Sequence, residues 1–230
     1  MKEGTKKPRP FRPGSSHKIF VPAYWPMWKD TNLYRKFTYV DKTGSMPNFI
    51  SVFSYDKGSD SMLLTDFTAH LDYQDTWFYQ YRPGFGIAEY RDDYPGGKKV
   101  VMDGMFGTPI GWGEFADIGG SYVNYPKMSP TASWPPAFAS GVQCVAFEAL
   151  LPSLTLDNGK TYDNVLQYSY LQAWDGKAAG GARYWAALGT GPIRLQWMAQ
   201  DPSNPLGKPL IVTATMDADI EDIGSEPLVS

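Results

Sequence analysis

The chain has 230 residues and a formal net charge of −3, from 21 basic and 24 acidic side chains. That length suits one all-β domain or two small ones, and it is long enough to bury a sizeable core. The single cysteine excludes an intrachain disulfide, and the negative charge disfavours a nucleic-acid binder. No apolar run approaches the roughly 18 residues of a transmembrane helix, so we expect no membrane span.

The chain begins with a basic, proline-rich arm at residues 1–18. Six cations stand against one acid there, and three prolines favour an extended course over a helix. The arm does not resemble a signal peptide, which favours a virion or cytosolic setting over classical secretion. We expect this arm to dock on other protein subunits; the alternative is a solvated terminus.

Residues 19–216 are expected to form a single β domain, because their apolar side chains alternate with period two. The alternation is clear at residues 77–81, 166–174, 193–197 and 210–216, and no comparable stretch shows helical periodicity. The sequence therefore predicts an all-β, mostly antiparallel sandwich or barrel with extended charged termini. We interpret the segment 125–140, which carries four prolines, as a long loop that crosses this domain.

Turn signals between these stretches agree with antiparallel pairing. Asp157-Asn158-Gly159 is typical of a tight hairpin, because Asn-Gly accepts the positive φ angles of a type I′ turn. Residues 56–58, 95–97 and 175–177 carry weaker signals of the same kind.

The segment 141–197 ends in a hairpin pattern that runs from Tyr184-Trp185 through Gly189-Thr190-Gly191 to Ile193. This segment resembles the C-terminal hairpin of bacterial envelope β-sheet proteins, in which aromatic residues precede a Gly-x-Gly turn. The resemblance implies an antiparallel sheet near the C-terminus. It implies no activity and supplies no functional residue.

The last predicted segment is an acidic tail at residues 217–230. Asp217, Asp219, Glu221, Asp222 and Glu226 give this segment a strong negative charge. The segment is interpreted either as a solvated tail or as a second arm that docks on a neighbouring subunit.

The excess of aromatic residues is the most informative feature for function. Four of the eight tryptophans lie in predicted loops within two residues of a proline or glycine: Trp25, Trp28, Trp112 and Trp134. A tryptophan on a rigid loop can offer a flat face to a sugar ring or to another protein, so these four are the candidate ligand-binding residues. The alternative is that the rings plug the ends of the sheet or fill a subunit interface.

Four acids in or beside predicted strands are the candidate catalytic residues if the chain is an enzyme: Glu89, Glu114, Glu148 and Asp163. Glycoside hydrolysis needs two carboxylates across a cleft, and a polysaccharide substrate would suit the tryptophans. The alternative is that these acids form the solvent-facing half of the strand alternation.

The sequence holds few residues that could act as catalytic nucleophiles or as metal ligands. His70 lies among Asp66, Asp72 and Asp75, which suggests a His-Asp pair, but no nucleophile motif accompanies it. One cysteine and two histidines cannot build a structural zinc site, and the acid spacings match no calcium loop. We expect no cofactor and no metal.

These observations leave three hypotheses for function. The first is a non-catalytic structural or binding protein, a subunit of a virion or surface assembly that contacts glycans through its loop tryptophans. The second is a polysaccharide-acting enzyme with paired carboxylates. The third is a lipocalin-like barrel that binds or transforms an apolar small molecule in an incompletely filled interior.

Overall fold

A computed structural model describes residues 18–26, 29–101, 110–124, 129–130, 141–174, 177–199 and 211–224. Most of these residues form β-strands, and no α-helix occurs within these ranges. Two short 3-10 turns are present, at Val21–Tyr24 and Pro95–Gly97. In the same ranges, no helix has the length and hydropathy that crossing a bilayer requires.

The strands fall into two groups along the chain. The earlier strands are β1 (Ile19–Phe20), β2 (Arg35–Asp41), β3 (Phe49–Asp56), β4 (Ser61–Thr68), β5 (Tyr73–Arg82), β6 (Gly86–Tyr94), β7 (Lys98–Val101), β8 (Ile110–Gly111), β9 (Phe115–Ala116) and β10 (Ser121–Asn124). The later strands are β11 (Ser129–Pro130), β12 (Gly141–Thr155), β13 (Thr161–Trp174), β14 (Lys177–Ala187), β15 (Gly191–Ala199) and β16 (Ile211–Asp222).

Two antiparallel meanders join edge to edge in one large sheet. Strands β2 to β7 form the first meander and β12 to β16 the second, and β16 pairs with β2. The order of hydrogen-bonded neighbours is β10-β12-β13-β14-β15-β16-β2-β3-β4-β5-β6-β7-β11, with β8 beside β6. A small separate sheet pairs β1 with β9. The all-β, mostly antiparallel fold predicted from the sequence is thereby confirmed.

The large sheet is strongly bent, so that one face encloses the core. Strands β6 and β13 are eight positions apart in the order, which would separate them by about 38 Å in a flat sheet. Yet Trp112, which follows β8 beside β6, stacks on Tyr170 of β13 with ring centroids 5.9 Å apart. Among the described strands, the ladder of hydrogen-bonded neighbours nevertheless stays open and does not close into a barrel.

Large apolar side chains fill the enclosed face. The largest of these, at most 1% exposed, come from strands of both meanders: Phe37, Phe53, Ile87, Phe147, Leu166 and Met216. Burial of each such side chain stabilises the fold by about 1.5–3 kcal/mol. Both meanders contribute side chains to one hydrophobic cluster.

The strongest predicted turn is present. Asn158 and Gly159 lie in the turn that joins β12 to β13. Of these two residues, only Gly159 has a positive φ, +85°, so the predicted type I′ geometry, which needs a positive φ at both residues, is wrong. Leu156 N–H donates to the Lys160 carbonyl at 2.8 Å and closes the turn. The turn predicted at 56–58 joins β3 to β4, and residues 95–97 join β6 to β7. Residues 175–176 lie outside the described ranges.

The acidic segment predicted as a tail from residue 217 begins as part of the sheet instead. Strand β16 continues to Asp222 and lies between β15 and β2. Its acids form ion pairs with cations of the neighbouring elements, which compensates their charge: Asp217 with Arg194, Asp219 with Lys160, Glu221 with Lys36 and Asp222 with Arg35. Residues 1–17, most of the 125–140 loop and residues 225–230 lie outside the described ranges, so the docking arms stay a prediction.

Candidate functional site

The structure buries the two predicted ligand-binding tryptophans that it describes. Trp25 is 8% exposed and Trp112 is 4% exposed, whereas an external ligand needs an open ring face. Their ring centroids lie 4.8 Å apart in an edge-on contact, and both rings also pack against Tyr79. Trp28 and Trp134 lie outside the described residues. The exposed ring face expected for Trp25 and Trp112 is therefore wrong, and glycan contact through Trp28 and Trp134 stays a prediction.

Local backbone geometry explains why these two rings turn inward. The 3-10 turn Val21–Tyr24 ends at Trp25, whose N–H donates to the Pro22 carbonyl at 3.2 Å. Trp112 N–H donates to the Ile87 carbonyl at 3.0 Å, which ties its backbone to β6. Both indole Nε1 atoms are buried without a hydrogen-bond partner in the described part of the chain.

The four predicted catalytic acids do not come together. Glu89 is 7% exposed and faces the core from β6, where Tyr79 hydrogen-bonds to it. Glu114 accepts hydrogen bonds from the Tyr81 hydroxyl and, at 3.0 Å, from Gly84 N–H in a surface turn. Asp163 is exposed on β13.

Glu148, the fourth of these acids, lies on the outer face of the sheet in an ion pair with Arg183. Arg183 donates through Nε at 2.7 Å and through Nη2 at 3.2 Å. Burial raises the pKa of Glu148, but hydrogen bonds from Ser169, Arg183 and Gln167 outweigh burial and lower the pKa below its usual value. Nothing in the described structure sets two of the four predicted carboxylates across one groove.

A different set of acids does converge on the enclosed face. We call Asp66, Asp75, Glu89 and Asp92 the inner acids. Strand register places Asp66 on β4 directly opposite Asp75 on β5, and Ser51 on β3 directly opposite Asp66. Directly opposite side chains have Cβ atoms about 4.5–5.5 Å apart, and like charges in that relation destabilise a sheet.

The other two inner acids come from β6. Asp92 lies opposite Trp77 and is therefore the diagonal neighbour of Asp75. Glu89 lies opposite Tyr79, one step further along the same strands. Asp92 is 4% exposed, and its Oδ1 atom has no hydrogen-bond partner among the described residues, while Tyr94 donates to its other oxygen at 3.2 Å.

Burial raises the pKa of every inner acid. It raises the pKa of Asp66 to about 7, and the charge of Asp75 adds to the effect, while a hydrogen bond from Ser51 opposes it. Burial also raises the pKa of Asp75 to about 6. The pKa values of Glu89 and Asp92 are raised by burial as well, with like charges of neighbouring acids contributing. The inner acids therefore hold protons at pH values where ordinary carboxyl groups are ionised.

A pocket of about 490 Å³ opens onto Asp66 and Asp75 at one end of strands β3, β4 and β5. Its walls are mainly apolar and include Phe49, Phe67 and Trp197. His70 and Gln74 add polar groups at the same end. An apolar cavity with a few convergent polar groups and titratable residues of shifted pKa is the usual form of a small-molecule site.

The predicted hydrogen-bonded pair of His70 with an aspartate is not formed among the described residues. His70 lines the pocket together with Asp66 and Asp75, and its backbone N–H donates to Thr68 Oγ1 at 3.2 Å. Asp72 instead accepts a hydrogen bond from Thr68 Oγ1 at 3.0 Å. Across the described ranges, no ring hydrogen bond joins His70 to any of these acids.

Tyrosines line the enclosed face behind the pocket. Tyr39, Tyr79 and Tyr168 are at most 3% exposed. The Tyr39 hydroxyl donates to the Pro192 carbonyl at 2.9 Å. Burial raises the pKa of Tyr184, and charges on Asp66 and Glu89 raise it further, so this hydroxyl lies near both acids. The phenols remain neutral and can accept or relay a hydrogen bond.

No described cation balances the inner acids. No lysine or arginine among the described residues lines the pocket, and the described ion pairs all lie elsewhere. The described His, Cys, Asp and Glu side chains also form no group with the geometry of a metal site. The arrangement can therefore donate or accept protons, and it can bind a positive or hydrogen-bonding group that enters the pocket.

Comparison with known proteins leaves the site without a precedent. No family model matches the chain, and neither a curated protein nor a solved structure resembles it significantly. The resemblance to envelope β-sheet proteins accordingly stays a prediction.

Proposed function

We propose that the chain is a small-molecule binding protein whose ligand, mainly apolar, occupies the pocket above Asp66 and Asp75. The observation that carries this proposal is a pair of facing carboxyl groups that line a mainly apolar cavity. The cavity volume of about 490 Å³ lies within the range of about 300–1,000 Å³ that is common for ligand sites.

The unfavourable free energy of burying the inner acids supports a functional role for the pocket. Burying a carboxyl group away from opposite charge is unfavourable, and no described cation offsets that cost here. Buried acids of raised pKa concentrate at binding and catalytic sites, because structural cores avoid them. An apolar ligand body would contact Phe49, Phe67 and Trp197, while its polar group would meet Asp66 and Asp75.

A neutral fluorescent dye tests this proposal. N-Phenylnaphthylamine is apolar and brightens when it leaves water, so we expect saturable binding to the wild-type protein. Ala69→Trp places a large ring in the pocket lining and should abolish binding. Asn158→Trp adds the same ring to the exposed β12–β13 turn and should leave binding intact. Equal binding by Ala69→Trp, or no binding by the wild type, would refute the proposal.

Assembly with other subunits is a second candidate function, and an exposed aromatic patch favours it. Phe20, Tyr81 and Phe115 are 41%, 39% and 44% exposed. Phe20 lies 5.4 Å from Phe115 and 6.1 Å from Tyr81, measured between ring centroids. Exposed aromatic clusters are frequent at protein interfaces.

Light scattering after size exclusion tests assembly directly. We expect an oligomer for the wild type and a smaller species for Phe20→Ser with Phe115→Ser. A wild-type monomer at all concentrations would contradict this second function and would leave the pocket proposal untouched.

A further inference from the structure

Two carboxyl groups face each other in this pocket, so neither supplies the positive charge that would balance the other. Asp66 and Asp75 face each other across β4 and β5, and the one hydrogen bond between Asp66 and a described side chain comes from Ser51. Asp75 Oδ1 is inaccessible to water and has no partner among the described residues. Asp92 Oδ1, on a side chain that is 4% exposed, is also unpartnered there and is the diagonal neighbour of Asp75.

The buried Oδ1 atoms of Asp75 and Asp92 would be stabilised by a hydrogen-bond donor. A buried carboxyl oxygen without a hydrogen bond costs about 1–3 kcal/mol, and more if the group is charged. No described lysine or arginine reaches the pocket to supply that donor. Asp75 lines the pocket, so a ligand there supplies the donor when the carboxyl group turns Oδ1 toward the cavity. Asp92 does not line the pocket, and its contribution is the additional buried carboxyl group beside Asp75.

The pocket walls suit a cation as well as an apolar body. Phe49 and Trp197 line the same cavity as the two aspartates. The faces of aromatic rings attract ammonium groups, most strongly when water is excluded. An anionic ligand would meet facing acids, which disfavour it.

We propose that the pocket binds an organic cation, an apolar body with a primary or secondary ammonium group whose N–H donors bond to Asp66 and Asp75. This inference rests on the proposed small-molecule function and names the chemical class of its ligand. The ammonium group supplies the positive charge that the described protein does not, and the two carboxylates then ionise together with it.

Binding of such a cation is coupled to proton release. The free pocket holds protons on its acids, and the cation displaces them, so affinity should rise with pH from about 5 to about 7. The titratable groups near the aspartates are Tyr39 from β2, His70 from the β4–β5 turn, Tyr73 from β5, Glu89, Asp92 and Tyr94 from β6, and Tyr184 from β14. His70 loses positive charge over the same range, so the variant His70→Gln separates its contribution.

Three probes with one apolar body decide the inference: phenylbutylammonium, phenylbutanol and phenylbutanoate. Titration calorimetry at neutral pH should show the ammonium probe binding at least about tenfold tighter than the alcohol, and the anion weakest. In buffers of different ionisation heat, the ammonium probe should release protons and the alcohol should not. The pH dependence of the ammonium affinity should persist in His70→Gln.

Aspartate-to-asparagine variants show which carboxyl groups the ammonium probe needs for tight binding. Asp75→Asn and Asp66→Asn should each reduce the affinity for the ammonium probe to near that of the alcohol, while binding of the alcohol shows that the variants are folded. Asp163→Asn, an exposed acid on β13, should change neither affinity.

Two results would overturn the inference. One is an alcohol that binds the wild type as tightly as the ammonium probe does. The other is an ammonium affinity that survives both aspartate substitutions. If the neutral dye still binds under those results, the binding function stands and only the cationic ligand class fails; if the dye also fails to bind, the proposed function fails with it.

Discussion

The two faces of the bent sheet treat their acids in opposite ways. On the outer face, Glu148 meets Arg183 and Asp217 meets Arg194, each within hydrogen-bond distance. On the enclosed face, Asp66 meets Asp75, and no described cation is near them. The two faces belong to one sheet, although the outer acids named here lie on β12 and β16 and the inner acids on β4 and β5. Cations balance the acids on the outer face, whereas burial raises the pKa values of the acids on the enclosed face.

The largest expected effect comes from breaking an outer ion pair. Arg194 and Asp217 have side chains that are 17% and 9% exposed, so Arg194→Met leaves a largely buried carboxylate unpaired. We expect the free energy of unfolding at pH 7 to fall by about 2–3 kcal/mol, which urea titration measures. The matched control, Lys29→Met, removes a pair in which both side chains are more than 60% exposed, and it should change little. Equal losses in the two variants would show that the outer pairs contribute nothing specific.

Removing the charge of an inner acid should raise the free energy of unfolding, whereas breaking an outer ion pair should lower it. The pKa of Asp66 is raised from 3.8 to about 7 in the folded protein, so ionisation destabilises the fold as the pH rises through that window. Asp66→Asn keeps an oxygen that can accept from Ser51 and removes the charge. We expect the free energy of unfolding to rise by about 1–2 kcal/mol at pH 8 and to match the wild type near pH 4.

The control for that variant is again Asp163→Asn, on the exposed part of β13. Its stability should follow the wild type at every pH. A loss of stability in Asp66→Asn at pH 8 would mean that the ionised carboxylate is stabilised by a partner, and the contrast between the two faces would disappear.

The smallest expected effect comes from Glu148→Gln, which removes the charge of an outer acid as Asp66→Asn removes that of an inner acid. The pKa of Glu148 is lowered, although burial opposes the hydrogen bonds that lower it. Its charge therefore stabilises the fold above the usual pKa, and that contribution is lost as the pH falls through the lowered pKa. We expect Glu148→Gln to reduce the free energy of unfolding at pH 7 by about 0.5–1 kcal/mol, with the difference vanishing in acid. Thermal unfolding at the two pH values measures it, and a stabilised Glu148→Gln at pH 7 would contradict the assignment.

Most of the fold could be predicted from the sequence, because side-chain alternation is a local property. The alternation at 166–174 and 193–197 lies within β13 and β15, and the Asn158-Gly159 turn joins two long strands. Charge composition was less reliable as a guide. The acids from Asp217 onward suggested a tail, but Asp217, Asp219, Glu221 and Asp222 each form an ion pair with a cation that only the folded chain brings near.

The site was harder to predict, although one signal was present. Asp66 alternates in phase with the buried residues Met62 and Leu64, which places an acid on an apolar face. The facing of Asp66 and Asp75 depends on the β4–β5 register, which shifts by one residue between Asp66 and Phe67, and no local pattern specifies that shift. The bend of the sheet, which turns Trp112 inward, is equally a property of the whole fold.

Asp66 and Asp75 are uncompensated acids, and the central claim is that their pKa values lie well above the ordinary 3.8. A carbon-13 NMR titration of the aspartate side-chain carboxyl groups in the full chain, assigned with Asp66→Asn and Asp75→Asn, measures this directly. The account expects midpoints of about 7 for Asp66 and about 6 for Asp75. Midpoints at the ordinary 3.8 for both residues would contradict it.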